Sequence, residues 1–282
     1  MRDAHPSQTA IMAAASRAAH LVVDGEPYIF RDTLAATLLG GQAEELVGYH
    51  RVHGGHIVLS GTRAQVTARA AYTERRLGDR FEQYVVLGAG LDTFALRRAP
   101  GRPPTRVIEV DHPATQQWKR ELMAAAGLTT PDGPVFAPVD FESGGLMSAL
   151  REAGLDPGRP ALVSWLGVAM YLTEEAVAAT LAALGRLPRG SELVMEYALP
   201  PGLRDERGAE YASFALAAAA DRGEPWLSFF APDEVSSLLK QHGLEVVEHV
   251  RQAGCVDPEL WRRQDGLRPA DLCRLVRAVV TG

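Results

Sequence analysis

The sequence predicts an α/β protein with a mostly parallel, seven-stranded sheet, helices on both faces and an N-terminal helical cap. Three observations carry this. From residue 81 onward short β-branched runs alternate with helical stretches, which is the pattern of βαβ units. Before residue 80 the apolar spacing is helical throughout. The 282 residues are 46% hydrophobic and 23% charged, with only 27 Gly and 18 Pro, so the chain can bury a sizeable core and lacks the composition of low-complexity sequence. The expected division is a helical cap over 1–80 and an α/β unit over 81–282 with a helical insertion near 200–230, all in one structural unit.

In the cap, Thr9–His20, Arg31–Leu39, Glu44–Tyr49 and Gly61–Leu77 read as helices, with Gly40-Gly41 and Gly54-Gly55 as breaks. The strands follow as Gln83–Leu87, Thr105–Val110, Pro134–Val139, Ala161–Leu166, Ser191–Tyr197 and Leu244–Val250. Between them, a helix over Pro113–Ala126 follows Asp111. Another over Glu174–Leu187 follows Thr173, a capping hydroxyl, with Glu175 adding first-turn negative charge. Ala209–Ala220 is a helix inserted between late strands, and with Gly223-Glu224-Pro225-Trp226 after it this segment is suited to close over a pocket. Arg274–Val280 fits a closing strand or the tail of a helix begun at Pro269; we take the strand reading.

Composition also excludes function classes. Against 35 Asp and Glu the 29 Lys and Arg leave a net charge of −6, and no run of five like charges occurs, so a nucleic-acid partner is not expected. The longest uncharged stretches, Pro160–Thr173 and Tyr211–Ala220, fall short of the roughly 20 residues that span a bilayer, so no membrane partner is expected either. The Ala-rich N-terminus is interrupted by Ser7, Gln8, Ser16 and Arg17, which suits an amphipathic helix better than a secretory segment. Cys255 and Cys273 are far apart and form no CxxC, so a cytoplasmic location is expected.

The strongest chemical signal is Tyr84-Val85-Val86-Leu87-Gly88-Ala89-Gly90-Leu91-Asp92-Thr93, a strand running into a glycine turn and then a helix. Such glycines let backbone approach a ligand, and a helix N-terminus favours anionic groups; the plainer alternative is a tight strand-to-helix turn. The third glycine of a dinucleotide GxGxxG would fall at Thr93, so that pattern is unmet. The second strand ends at Asp111, about 20 residues on, where an acid can accept both ribose hydroxyls of an adenosine. Alternation puts Glu109 on the same face, but Asp111 lies nearer the strand's carboxyl end. The other reading of Asp111 is a cap on the helix that starts at Pro113. Asp140 ends the third strand, where it suits an adenine amino group while Phe141 packs on the ring.

Together these strand ends resemble the class I S-adenosylmethionine-dependent methyltransferases, whose fold is Rossmann-like. The ordered wording LGAGLDT, EVDHPATQ, VDFE and SWLGVAMYLT is similar to the leucine carboxyl methyltransferase-like family, particularly its bacterial branch of tetracenomycin-type polyketide carboxyl methyltransferases. The resemblance runs from about Ser7 to the end. It implies S-adenosyl-L-methionine as methyl donor, S-adenosyl-L-homocysteine as product and no metal. The implied acceptor is a carboxylate of a small natural product, such as a polyketide, or of a peptide C-terminus. It implies further that Arg69, in Arg69-Ala70-Ala71-Tyr72-Thr73-Glu74, reaches the methionine carboxylate, a contact that a guanidinium fits in bidentate fashion. Without the resemblance Arg69 reads equally as a solvated arginine on a helix face. Gly88 and Gly90 match the turn under methionine and ribose, Asp111 the ribose acid, and Asp140 with Phe141 the adenine contacts. Leu166 stands where leucine carboxyl methyltransferases have a glutamate near the cofactor, a departure that argues against a protein phosphatase as acceptor. Ala71 and Phe94 stand where related sequences carry arginines.

The remaining candidates are weaker. His50, His53 and His56 are spaced like metal ligands, but Gly54-Gly55 interrupts them and nothing completes the set. Ser164 lacks the surroundings of a hydrolase nucleophile. Tyr171, Tyr197, Phe214, Trp226, Phe229 and Phe230 are candidates for a pocket wall, although core packing suits most of them. A carboxylate acceptor is ionised at neutral pH and needs no base, so no catalytic residue is assigned; His112 or His20 would serve if a hydroxyl were the acceptor. Alternatives kept open are a hydroxyl O-methyltransferase of secondary metabolism, an NAD-linked oxidoreductase and a non-catalytic sensor that keeps the methyl-donor site. A homodimer is kept open as an assembly, since the sequence carries no signal for the oligomeric state.

Overall fold

The computed structural model describes residues 7–78, 80–98, 106–128 and 133–282. Its elements in chain order begin with α1 (Gln8–Val23), α2 (Ala35–Leu39), α3 (Ala43–His53) and α4 (Ile57–Leu77). Next come β1 (Gln83–Leu87), α5 (Phe94–Arg97), β2 (Arg106–Asp111), α6 (Pro113–Ala125), β3 (Val135–Pro138) and α7 (Leu146–Glu152). The remainder is β4 (Ala161–Trp165), α8 (Glu174–Leu184), β5 (Glu192–Ala198), α9 (Glu206–Asp221), α10 (Pro232–Gln241), β6 (Leu244–Arg251) and β7 (Cys273–Val280). Thr105, expected to open the second strand, lies outside the described residues.

The strands form one seven-stranded sheet in the order β3-β2-β1-β4-β5-β7-β6. β1 to β5 pair in parallel, while β7 runs antiparallel to both β5 and β6, so the sheet is mixed. After β3 the chain returns to the other side of β1, which makes β1/β4 the switch point where α/β sheets hold ligands beyond their carboxyl ends.

Alternation along each strand separates two packed faces. Val85, Leu87, Ile108, Val110, Val163 and Trp165 point to α7, α8 and α10. Tyr84, Val86, Val107, Leu162 and Val194 point to α4 and the segment around Cys255. A third cluster joins α1, α2 and α3 to α6 through Ile11, Leu38, Val47 and Met123. Removing water from these apolar faces is the main drive for the arrangement.

Several expected helices have different ends, each for a local reason. Only Ala35–Leu39 of the expected Arg31–Leu39 is helical. Asp32, held by Arg17 Nε at 2.7 Å, offers its other oxygen to the N–H groups of Leu34 and Ala35 at 3.2 and 3.0 Å and so starts the helix there. The helix expected from Gly61 starts at Ile57, because His56 Nδ1 accepts the Val58 N–H at 3.3 Å. Gly61 is then interior, where a Cβ would sit 3.2 Å from the Tyr211 ring of α9. The inserted helix begins at Glu206 rather than Ala209, capped by Asp205 on the Gly208 N–H at 2.6 Å. α7 and α10 were not expected. Thr173 caps α8 as expected, 3.2 Å from the Ala176 N–H.

Candidate active site

A cavity of about 540 Å³ opens at the carboxyl ends of β1, β2, β3 and β4. Arg69, Gly88, Gly90, Asp111, Asp140, Phe141 and Leu166, singled out from the sequence, all line it. The glycine turn has positive φ at Gly88 (64°) and Gly90 (48°), where L side chains are strained. The space beside them is taken by protein: a Cβ on Gly88 would lie 2.1 Å from Val168 Cγ2, and one on Gly90 would lie 2.9 Å from Ala10 Cβ. Their lack of side chains lets the loop after β4 and the start of α1 close on the turn, while both glycines still line the cavity. The helix after the turn is a single turn starting at Phe94, its N–H held by Asp92 Oδ1 at 2.8 Å.

Asp111 is buried and accepts the Gly90 N–H at 2.6 Å and the His112 N–H at 2.7 Å. Burial pushes its pKa up, and these two amides pull against that. It does not cap α6; His112 does, with Nδ1 accepting the Ala114 N–H at 3.3 Å. Glu109, one step back on the same face, turns under α6 to a fully buried Lys119. Burial raises the Glu109 carboxyl to about 7, against the pull of Lys119. Lys119 also donates to the Asp92 carbonyl at 2.6 Å, which ties α6 to the turn after β1.

Asp140 is exposed and makes its own turn, accepting from the Glu142 N–H at 3.0 Å and the Ser143 hydroxyl at 2.9 Å. Phe141 is buried with its ring 6.3 Å from that of Trp165. Leu166 follows the last residue of β4 and packs towards the α4 face.

Arg69 lies on α4 with its guanidinium against Gly167, where a Cβ would be 2.6 Å from Nη2. One N–H donates to Glu196 of β5, its hydrogen-bond partner among the described residues. Arg69 is therefore not a solvated arginine. It also belongs to a second chamber of about 730 Å³, which shares Thr9, Ala13, Val66, Arg69, Gly167 and Tyr171 with the first.

Sequence reasoning missed other wall residues. Glu74 pairs with Arg97, and burial lifts its carboxyl to about 7. Thr9 donates its N–H and hydroxyl to Glu224, so the start of α1 is latched to the segment after α9. Tyr171, by contrast a wall candidate already in the sequence, lies on the shared wall and is held protonated by burial, with its pKa pushed up to about 12. Glu74 stood inside the quoted RAAYTE stretch and Glu224 inside the Gly223-Glu224-Pro225-Trp226 segment expected to close over a pocket, which it does; Thr9 carries no local signal.

The other candidates serve the fold. His50 bonds to Arg63 at 3.2 Å, His53 packs on Tyr49 and His56 caps α4, so the three do not converge. Among the described residues no group of three His, Cys, Asp or Glu could hold a metal ion. His20 is buried between Asp24 and the Ile29 N–H, away from the cavity. Ser164 bonds to the Tyr84 hydroxyl at 2.9 Å. Tyr197 bonds His249, Phe230 joins the core and Phe229 packs near Trp226, whereas Tyr171, Phe214 and Trp226 line the second chamber. Among the described residues no helix is long and apolar enough to cross a membrane.

The sheet order, the glycine turn and an acid at the end of β2 together define a Rossmann-like methyltransferase fold. The sequence profile of the leucine carboxyl methyltransferase family matches residues 10–185, and the chain belongs to that family. It is 34% identical over 217 residues, covering 75% of this chain and 71% of the relative, to "Putative S-adenosyl-L-methionine-dependent methyltransferase YktD" of Bacillus subtilis (strain 168). A Frankia alni relative of the same description is 32% identical over 177 residues, which span 60% of this chain and 56% of that protein. The crystal structure of a DUF574 family protein from Streptomyces avermitilis superimposes with a TM-score of 0.58 at 18% identity, covering 99% of this chain and 98% of the other. The chain is an S-adenosylmethionine-dependent methyltransferase, which sets aside the oxidoreductase reading.

Proposed function

We propose that the protein transfers the methyl group of S-adenosylmethionine to a carboxylate of a small natural-product acid. The first cavity fits the methyl donor. Its volume is in the range of small-molecule sites, about 300–1,000 Å³. Its wall offers an acid, a buried ring and a guanidinium where ribose, adenine and methionine carboxylate would lie. Asp111 would take the ribose hydroxyls, Phe141 the adenine face, Asp140 its amino group, and Arg69 the methionine carboxylate, with Gly88, Gly90 and Leu166 shaping the floor.

The sulfonium supplies an already activated methyl: the acceptor oxygen forms its bond to carbon as the methyl–sulfur bond breaks, and that electron pair stays on sulfur. The chain's own task is to orient the acceptor and exclude water. The observation that carries the carboxylate reading is the chemistry at the wall shared by the two chambers. Tyr171 there, held protonated by burial with its pKa pushed up to about 12, is a hydroxyl donor rather than a base at neutral pH. A carboxylate arrives ionised, whereas a phenol, with a pKa near 10, would need a proton acceptor.

The test is incubation of the purified protein with methyl-labelled S-adenosylmethionine and a panel of carboxylic acids and their hydroxyl-bearing analogues. Label is expected in products that release methanol in mild alkali, as esters do. Label confined to alkali-stable ethers of molecules without a free carboxylate would contradict the reading.

A further inference from the structure

Two pieces of chain that are distant in sequence meet at the wall of the first cavity. The start of α1 contributes Thr9, Ala10 and Ala13, and the segment after α9 contributes Glu224, Pro225 and Leu227. They are held in different ways. The segment after α9 is tied down on both sides of Glu224: the Glu224 N–H donates to the Ala219 carbonyl at 3.0 Å, the Leu227 N–H to the Met170 carbonyl at 2.6 Å, and the buried Ser228 donates its hydroxyl to the Leu172 carbonyl. α1 is anchored from its middle onward, where Ala14, Ala15, Ala18, Ala19 and His20 are buried and Arg17 donates to the Leu91 carbonyl at 2.7 Å. In the stretch before Ala14 only Ile11 is buried, and Gln8 is exposed. Glu224 fastens that stretch across the cavity: its carboxylate accepts both the Thr9 N–H, at 2.9 Å, and the Thr9 hydroxyl. The carboxylate meets the first turn of a 16-residue helix, whose unpaired amides favour a negative charge. With Thr9 held, Ala10 covers Gly90, as the 2.9 Å from its Cβ to a Cβ built on that glycine shows.

Building on the methyl-transfer reading, we propose that Glu224 is a positioning residue that sets the rate at which the methyl donor and its product exchange. The Glu224–Thr9 clasp holds the first turns of α1 over the glycine turn, and S-adenosylmethionine enters and S-adenosylhomocysteine leaves when it opens. Opening breaks two hydrogen bonds to a carboxylate, which are stronger than bonds between neutral groups. Water replaces them at the half-buried rim, and the buried turns from Ala14 onward stay in place, so the clasp opens without unfolding the core. Both bonds join protein to protein. Weakening them therefore raises the open fraction whether the cavity is empty or filled, and quickens entry and departure by the same factor. A side chain that gripped the ligand would behave differently: its loss would change the affinity, chiefly through departure.

The experiment measures association and dissociation rates of S-adenosylhomocysteine with the wild type, Glu224→Ala and Glu224→Gln, together with amide hydrogen exchange along α1 in each protein without ligand. In Glu224→Ala both rates are expected to rise by at least about fivefold while the dissociation constant stays within about twofold. Glu224→Gln keeps an acceptor for Thr9 but not the charge, and its rates are expected to fall between the other two. Exchange at residues 11–13 is expected to quicken in Glu224→Ala, with residues 18–20 unchanged. Unaltered rates in Glu224→Ala overturn the inference. So does a weaker affinity carried by departure alone, which would make Glu224 a ligand contact, and so does exchange that quickens along the whole of α1, which would make it a general support of the cap. A folded wild type that does not bind S-adenosylhomocysteine overturns the methyl-transfer reading instead, and exchange at residues 11–13 then still decides whether the clasp holds α1.

Discussion

Gly88 shows how far a single residue could be understood before folding. Its position after a hydrophobic strand marked it as special, and its φ of 64° explains why only glycine is at ease there. The partner that fills its missing Cβ, Val168, is 80 residues away and was not legible. Gly88→Ala combines left-handed strain with steric overlap and is expected to cost about 2–4 kcal/mol in urea denaturation. Adding Val168→Ala should return part of that loss, since it removes the overlap but not the strain; identical losses with and without the second change would exclude the collision as a cause. Asp111 was legible in position but open in role; His112 caps α6 in its place, and Asp111 lines the cavity.

At the scale of elements, strands with simple alternation were legible, since each signal is local. α10 was missed because Ala231 has no side-chain acceptor; Pro232 at the first turn and Glu234, reaching back to the Ala231 N–H at 2.6 Å, were the readable signs. α7 was missed because two left-handed glycines, Gly144 and Gly145, precede it and read as loop. The packing of α3 on α4 yields a pH prediction. His50 is buried, accepts a hydrogen bond from Arg63, and faces Asp24 across that arginine. Burial first, and then the Arg63 charge, lower its pKa from 6.5 to about 4. The unfolded chain therefore takes up a proton that the folded chain refuses, so the His50 contribution is present above pH about 6.5 and lost as pH falls towards about 4. Thermal midpoints should drop over that window, and less steeply in His50→Gln, which keeps an acceptor for Arg63. Parallel slopes in the two proteins would contradict this.

At the scale of the whole molecule, the features that make two chambers out of one sheet edge come from residues distant in sequence. Thr9 meets Glu224 across 215 positions and Arg69 meets Glu196 across 127. No periodicity or motif reports such pairings, which is why the first cavity, built from consecutive strand ends, was readable, while of the second only the inserted helix and the single aromatics Tyr171, Phe214 and Trp226 were. On the proposed function, those strand ends bind S-adenosylmethionine and Asp111 is the ribose acid. Calorimetric titration with S-adenosylhomocysteine, with NADH as the control ligand, tests it directly. Binding to the wild type is expected, with affinity at least about tenfold weaker in Asp111→Asn, a difference of about 1.4 kcal/mol, and no heat from NADH. Equal affinity in the two proteins, or no binding of S-adenosylhomocysteine to the folded wild type, would contradict it.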